Sequence, residues 1–137
     1  MKFVNLNDKL MDKNSNNLNW FEIPAADISR AKNFYEAMFD TTMEEQEMMG
    51  MKMAFFPAEP GSGKANGGLV QSENHTPSME GSVIYLNGNP DLAHSLNRVE
   101  SAGGKVIMPK TKINDEVGYM AMFTDSEGNK MGLHSNS

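Results

Sequence analysis

Apolar and polar positions alternate over Trp20-Phe-Glu-Ile23 and predict a strand, which Pro24 ends. On a pleated strand Phe21 and Ile23 face one side, and Trp20 and Glu22 the other. The period then changes. Ile28, Ala31, Phe34, Tyr35 and Met38 recur at helical spacing through Phe39, leaving Arg30, Lys32 and Asn33 on the wet face. Asp27 is the expected N-cap, because its carboxylate can accept from the free amides of the first turn. Met43 to Met48 predicts a second strand, Met49-Gly50 a turn and Met51 to Phe56 a third strand. Pro57 to Asn66 reads as a loop. Gly67 to Gln71 reads as a fourth strand whose glycines let another backbone come close.

After the polar stretch Ser72 to Gly81 the pattern begins again. Val83 to Leu86 predicts a strand. Asn89 is the expected cap of a helix with Pro90 at its first position and Leu92, Leu96 and Val99 as its buried stripe. Gly103-Gly104 stops it. Lys105 to Met108 predicts a strand ended by Pro109. Tyr119 to Thr124 and Met131 to Leu133 form a hairpin around Asp125-Ser-Glu-Gly-Asn129, where Asp and Asn accept local backbone bonds. The order βαβββ therefore occurs twice, with Asp27-Ile28 and Asp91-Leu92 in matching places. Each half has one helix to cover one face of its sheet, so the other face must find cover elsewhere. The expected fold is α+β: two βαβββ half-domains forming a cup-shaped mixed sheet with helices outside. The expected organisation is an extension over 1–18, a first module over 19–71, a linker over 72–80 and a second module over 81–137, with 19–135 as one domain.

Composition narrows the function classes. The 137 residues fit one domain, or two half-domains sharing a core. With no cysteine there is no disulfide, thiolate metal site or cysteine nucleophile. A net charge of -6 with scattered acids argues against nucleic acid as a partner. The thirteen methionines suit an adaptable core filler or a plastic ligand pocket. No apolar run approaches a membrane span, and the opening residues lack the apolar stretch of a signal peptide. The expectation is a cytoplasmic protein. There is no Gly-x-Ser-x-Gly elbow, phosphate loop or dinucleotide fingerprint, and no catalytic residue is assigned.

Four stretches carry a resemblance. They are Trp20-Phe-Glu-Ile-Pro24; Asp27-x-x-Arg30-Ala31-x-x-Phe34-Tyr35 with Phe39; Gly103-Gly-Lys-Val106; and the turn Asp125 to Asn129. In this order, from Asn19 to His134, the chain resembles the vicinal oxygen chelate superfamily, which includes glyoxalase I, bleomycin-resistance proteins and extradiol dioxygenases. The resemblance implies that metal ligands, where members have them, come from the first, fourth, fifth and eighth strands. Those places fall on Trp20, near Leu69 with Gly67 and Gly68 beside it, on Val83 (or Ser82 after a one-residue slip) and on Gly132. Apart from a weak hydroxyl at Ser82, none offers the O or N donors a divalent ion needs. Glu22 and His134 each lie one pleat further on and supply two donors as the alternative metal site. Against this stands a Glu22 that is solvated or paired with a cation, and a His134 at the surface. His75 and His94 are expected in a loop and on a wet helix face.

Alternation also gives the contents of the cup. It turns Trp20, Glu22, Tyr85, Met120, Met122, Gly132 and His134 inward, and the ligand places that the resemblance implies add Leu69 and Val83 to the expected pocket. Phe21, Ile23, Ile84, Leu86, Ala121, Phe123, Met131 and Leu133 turn toward the helices. An aromatic and thioether face suits a flat or partly apolar small molecule, or else these side chains fill the cup themselves. The leading expectation is a small-molecule binding protein without metal or other cofactor, homodimeric as the resemblance implies. The alternative is a metal-dependent lyase, isomerase or dioxygenase with non-standard ligands; a partner-binding domain with a solid cup is a third.

Overall fold

The computed structural model describes residues 11–137, so the first ten residues of the expected extension lie outside the described residues. In chain order the elements are β1 (Trp20–Pro24), α1 (Ile28–Phe39), β2 (Glu44–Met48), β3 (Met51–Phe55) and β4 (Asn66–Gln71). There follow β5 (Tyr85–Asn87), α2 (Ala93–Leu96), α3 (Val99–Ala102), β6 (Lys105–Asn114), β7 (Gly118–Thr124) and β8 (Lys130–Ser135). They build two four-stranded mixed sheets with the same topology, β1-β4-β3-β2 and β5-β8-β7-β6. In each, the first strand runs parallel to the last and the remaining pairs are antiparallel. This is the expected α+β architecture.

The helical period of α1 becomes burial: Ile28, Ala31, Phe34, Tyr35 and Met38 are all buried. Asp27 caps the helix, its carboxylate accepting from Arg30 N at 3.1 Å. Asp40 ends it in the left-handed conformation, which Asp tolerates better than most residues. One apolar core joins this face to Ile23 and Leu69 of the first sheet and to Leu86, Ala121, Phe123 and Leu133 of the second. Each fully buried large side chain there contributes about 1.5–3 kcal/mol. The helices thus cover one face of each sheet. The opposite faces, called the outer faces below, carry Trp20 and Tyr85, 42% and 50% exposed.

Three local expectations are corrected. Asn89-Pro90 does not start the second helix: α2 begins at Ala93, whose amide donates to Asp91 Oδ1 at 2.9 Å. The Asn89 side chain instead accepts from Asn136 N, and Leu92 N donates to Ser135 Oγ. The start of this helix is therefore set by the end of β8. The expected stripe of Leu92, Leu96 and Val99 is buried, although the helix breaks into two short pieces. Pro109 does not end β6. That strand is the edge of its sheet, and its register shifts between Met108 and Thr111, where a missing amide costs little.

The two modules are tied by the turn between β7 and β8. Asp125 Oδ1 accepts from Glu127 N and Asn129 N, both at 2.9 Å, and Oδ2 accepts from the buried Tyr35 hydroxyl at 2.7 Å. Burial pushes the Tyr35 phenol well above its usual range, and the Asp125 carboxylate adds to the effect. Asn129 Nδ2 donates to Pro24 O at 2.7 Å. The buried carboxylate of Glu127 accepts from Ala26 N, Asp27 N and both Nε and Nη2 of Arg30. Burial works to raise the Glu127 pKa, but the bonds from Arg30, Asp27 and Ser126 outweigh it and hold the group below 4.5. A depressed carboxylate pKa stabilises the fold above the unfolded value and loses that contribution as the group protonates. Glu127→Gln should therefore cost about 1–3 kcal/mol in urea unfolding at neutral pH. The gap from the parent protein should narrow as pH falls below 4.5.

Candidate outer-face ligand site

Strand register fixes which side chains share the outer faces. On the first sheet Trp20 lies beside Asn66, and Glu22 beside Gly68, Phe55 and Glu44 in turn. On the second sheet Tyr85 lies beside Gly132, Met122 and Met108, and Asn87 beside His134, Met120 and Thr111. Gly68 and Gly132 occupy equivalent positions in the two modules, and each has an aromatic ring against it. A Cβ added at Gly132 would sit 2.5 Å from Tyr85 Cδ1. A Cβ at Gly68 would sit 3.1 Å from Phe55 Cδ1 and 2.5 Å from the Ala54 carbonyl oxygen. These glycines are flat places on which rings rest.

The expected pocket residues separate into groups. Trp20 and Phe55 meet edge to face with centroids 5.7 Å apart and planes at 61°. They wall a groove of about 450 Å³ with Glu44, Asn66, Thr42 and Pro57. Glu22 faces a smaller groove of about 200 Å³ between the sheets, shared with Ser82, Glu80 and Lys130. Tyr85 borders an apolar groove of about 480 Å³ that reaches Phe21, Phe39, Phe56 and Leu86 on the core side. Met120, Met122, Gly132 and His134 lie together on the outer face of the second sheet. Val83 is exposed just before β5. Leu69 is turned the other way. It pairs in register with Ile23 and is fully buried in the core, so it lines no outer-face pocket; the outer-face residue of β4 is Gly68.

Both alternative metal donors make hydrogen bonds, which for His134 leaves the Nδ1 lone pair. The His75 Nε2–H donates to Glu22 Oε1 at 2.9 Å, and the Ser72 hydroxyl donates to His75 Nδ1 at 2.7 Å. The Trp20 Nε1–H donates to the other Glu22 oxygen at 3.3 Å. The His134 Nε2–H donates to Val117 O at 2.6 Å. No group of three or more His, Asp or Glu side chains converges in a way that could hold an ion among the described residues. The residues at the first, fourth, fifth and eighth strand places, Trp20, Gly68, Val83 and Gly132, do not fit a divalent ion. Sequence reasoning missed Phe55 and Glu44; the alternation of Met51, Met53 and Phe55 is the local signal that could have found Phe55. The contact between His75 and Glu22, 53 residues apart, left no local signal.

Two βαβββ modules of one topology, joined through a shared core, define a class of protein. The sequence profile of the Glyoxalase/Bleomycin resistance protein/Dioxygenase superfamily matches residues 17–133, and the chain belongs to that superfamily. Solved structures agree on the fold. A hypothetical protein from S. aureus is 23% identical, with TM-score 0.59, covering 85% of this chain and 94% of its own. A glyoxalase/bleomycin resistance protein from Albidiferax ferrireducens is 17% identical, with TM-score 0.63 and coverages of 88% and 98%. Glyoxalase I from Zea mays is 16% identical, with TM-score 0.62; the match covers 86% of this chain and 44% of that longer one. No curated protein sequence matches the chain.

The two ring-bearing glycines differ in what an added methyl would meet. At Gly132 it meets a half-exposed ring that can swing away; at Gly68 it also meets backbone. In urea unfolding Gly68→Ala should cost about 2 kcal/mol or more. Gly132→Ala should cost less than about 1 kcal/mol while changing the near-ultraviolet signal of Tyr85.

Proposed function

We propose that this protein binds a small, partly aromatic molecule on its outer sheet faces without a metal ion, and that two copies associate to complete the cup. The observation that carries this reading is the Tyr85 ring lying over Gly132. On the family resemblance this is the eighth-strand ligand place, and the chain offers an aromatic surface there and no side-chain donor. Gly68 under Phe55 repeats the arrangement in the first module, and Trp20 occupies the first-strand place. Flat rings, thioethers and few polar groups suit a planar ligand held by stacking and apolar contact.

Dimerisation is supported by the same faces. Trp20 and Tyr85 are about half exposed, and burying such rings contributes more than burying any other side chain. A second copy laying its outer face against the first would enclose both. This reading includes action in the cytoplasm; no described helix is long and apolar enough to cross a membrane.

A thermal-shift screen of aromatic small molecules, run in chelator, tests the proposal. A ligand at a hundred times its Kd should stabilise by about 2.7 kcal/mol, a rise of several degrees. Sedimentation should give twice the mass of the 15.1 kDa chain. Stabilisation that requires an added divalent ion would contradict the metal-free reading. A panel with no stabilising compound would contradict the binding reading.

A further inference from the structure

We infer that the Trp20–Phe55 groove receives the positively charged end of an organic ligand: an amine, guanidinium or quaternary ammonium group on a small apolar body. This rests on the outer face being the ligand site. The two rings make an open angle of 61°, and Trp20 keeps 42% of its surface exposed. The one hydrogen-bond donor of the indole is already given to Glu22, so what remains for recognition is the π face. That face carries negative potential and attracts cations. Beside it, Glu44 stands opposite Phe55 in register and lines the groove. Among the described residues no lysine or arginine lines this groove.

Other charge classes fit less well. An anion would need donors, and the groove offers Asn66, whose Nδ2 already donates to Phe56 O, and the hydroxyl of Thr42. A neutral ring would contact the aromatic walls and have no charge to pair with Glu44. A cation with an apolar body uses both. The net charge of -6 draws the same class of ligand from a distance. The carboxylate of Glu22 is partnered by His75, which leaves Glu44 as the groove's free carboxylate among the described residues.

The single tryptophan of the chain stands in this groove, so intrinsic emission reports on it directly. Three probes of similar size separate the charge classes: benzyltrimethylammonium, benzyl alcohol and benzenesulfonate, each titrated into the full chain. The cation should change Trp20 emission saturably, with a Kd at least about tenfold lower than the other two. Glu44→Gln, on an exposed edge strand, should weaken the cation about threefold and leave benzyl alcohol unchanged. Added salt should weaken only the charged probe. Equal binding of benzyl alcohol or benzenesulfonate, indifference of the cation to Glu44→Gln, or no change in emission with any probe would overturn the inference. A neutral stabilising compound in the thermal screen would then leave the binding reading standing without a charge preference.

Discussion

The buried polar turn Asp125 to Asn129 is the constraint on which the rest of this molecule depends. Its two carboxylates and one amide bind the phenol of α1, the end of β1, the Ala26 and Asp27 amides that lead into α1 and the Ser78 amide that follows the His75 turn. A turn in the second module therefore sets where the first module's helix begins. The arrangement is costly unless every partner is present, since an orphaned buried polar group costs more than a hydrogen bond gains. All buried side-chain polar atoms among the described residues have partners. The consequence is a fixed relation between two half-sheets that would otherwise share only an apolar core.

That fixed relation decides the character of the outer faces. With the helices and the turn holding the inner faces together, Trp20, Phe55, Tyr85 and Met120 are left facing away. The family resemblance implies that members with a metal take donors from four places on these faces. Here the places on β4 and β8 have become glycines, and the freed surface is covered by rings drawn from β3 and β5. Loss of a donor alone would leave a gap. In the reading proposed above, the packed aromatic surface offers stacking where donors would offer coordination.

Much of the fold was legible because it is periodic. The buried stripe of α1, the Asp27 cap and the repeated βαβββ order follow from local spacing. What escaped was set by distant partners. Asn89 resembles a helix cap, yet its side chain serves the chain end at Asn136. Pro109 resembles a strand end, but an edge strand with a bulge absorbs it. At the site, alternation placed Trp20, Glu22 and Tyr85 on the outer faces, whereas the fourth-strand place that the resemblance put near Leu69 falls on a residue facing the core. A shift of one residue exchanges the faces of a strand, and the pairing of Ile23 with Leu69 that settles it is not written locally. The Glu22–His75 pair was hidden for the same reason.

We propose that the superfamily's ligand places hold no metal ion in this protein. The most direct test is calorimetric titration of the chelator-treated protein with Ni²⁺, Zn²⁺ and Mn²⁺, followed by elemental analysis after dialysis. The account predicts no saturable heat at micromolar protein and less than a tenth of an ion per chain, about the background expected without a three-ligand site. One tightly held ion per chain, lost on substitution of Glu22 or His134 by alanine, would contradict it.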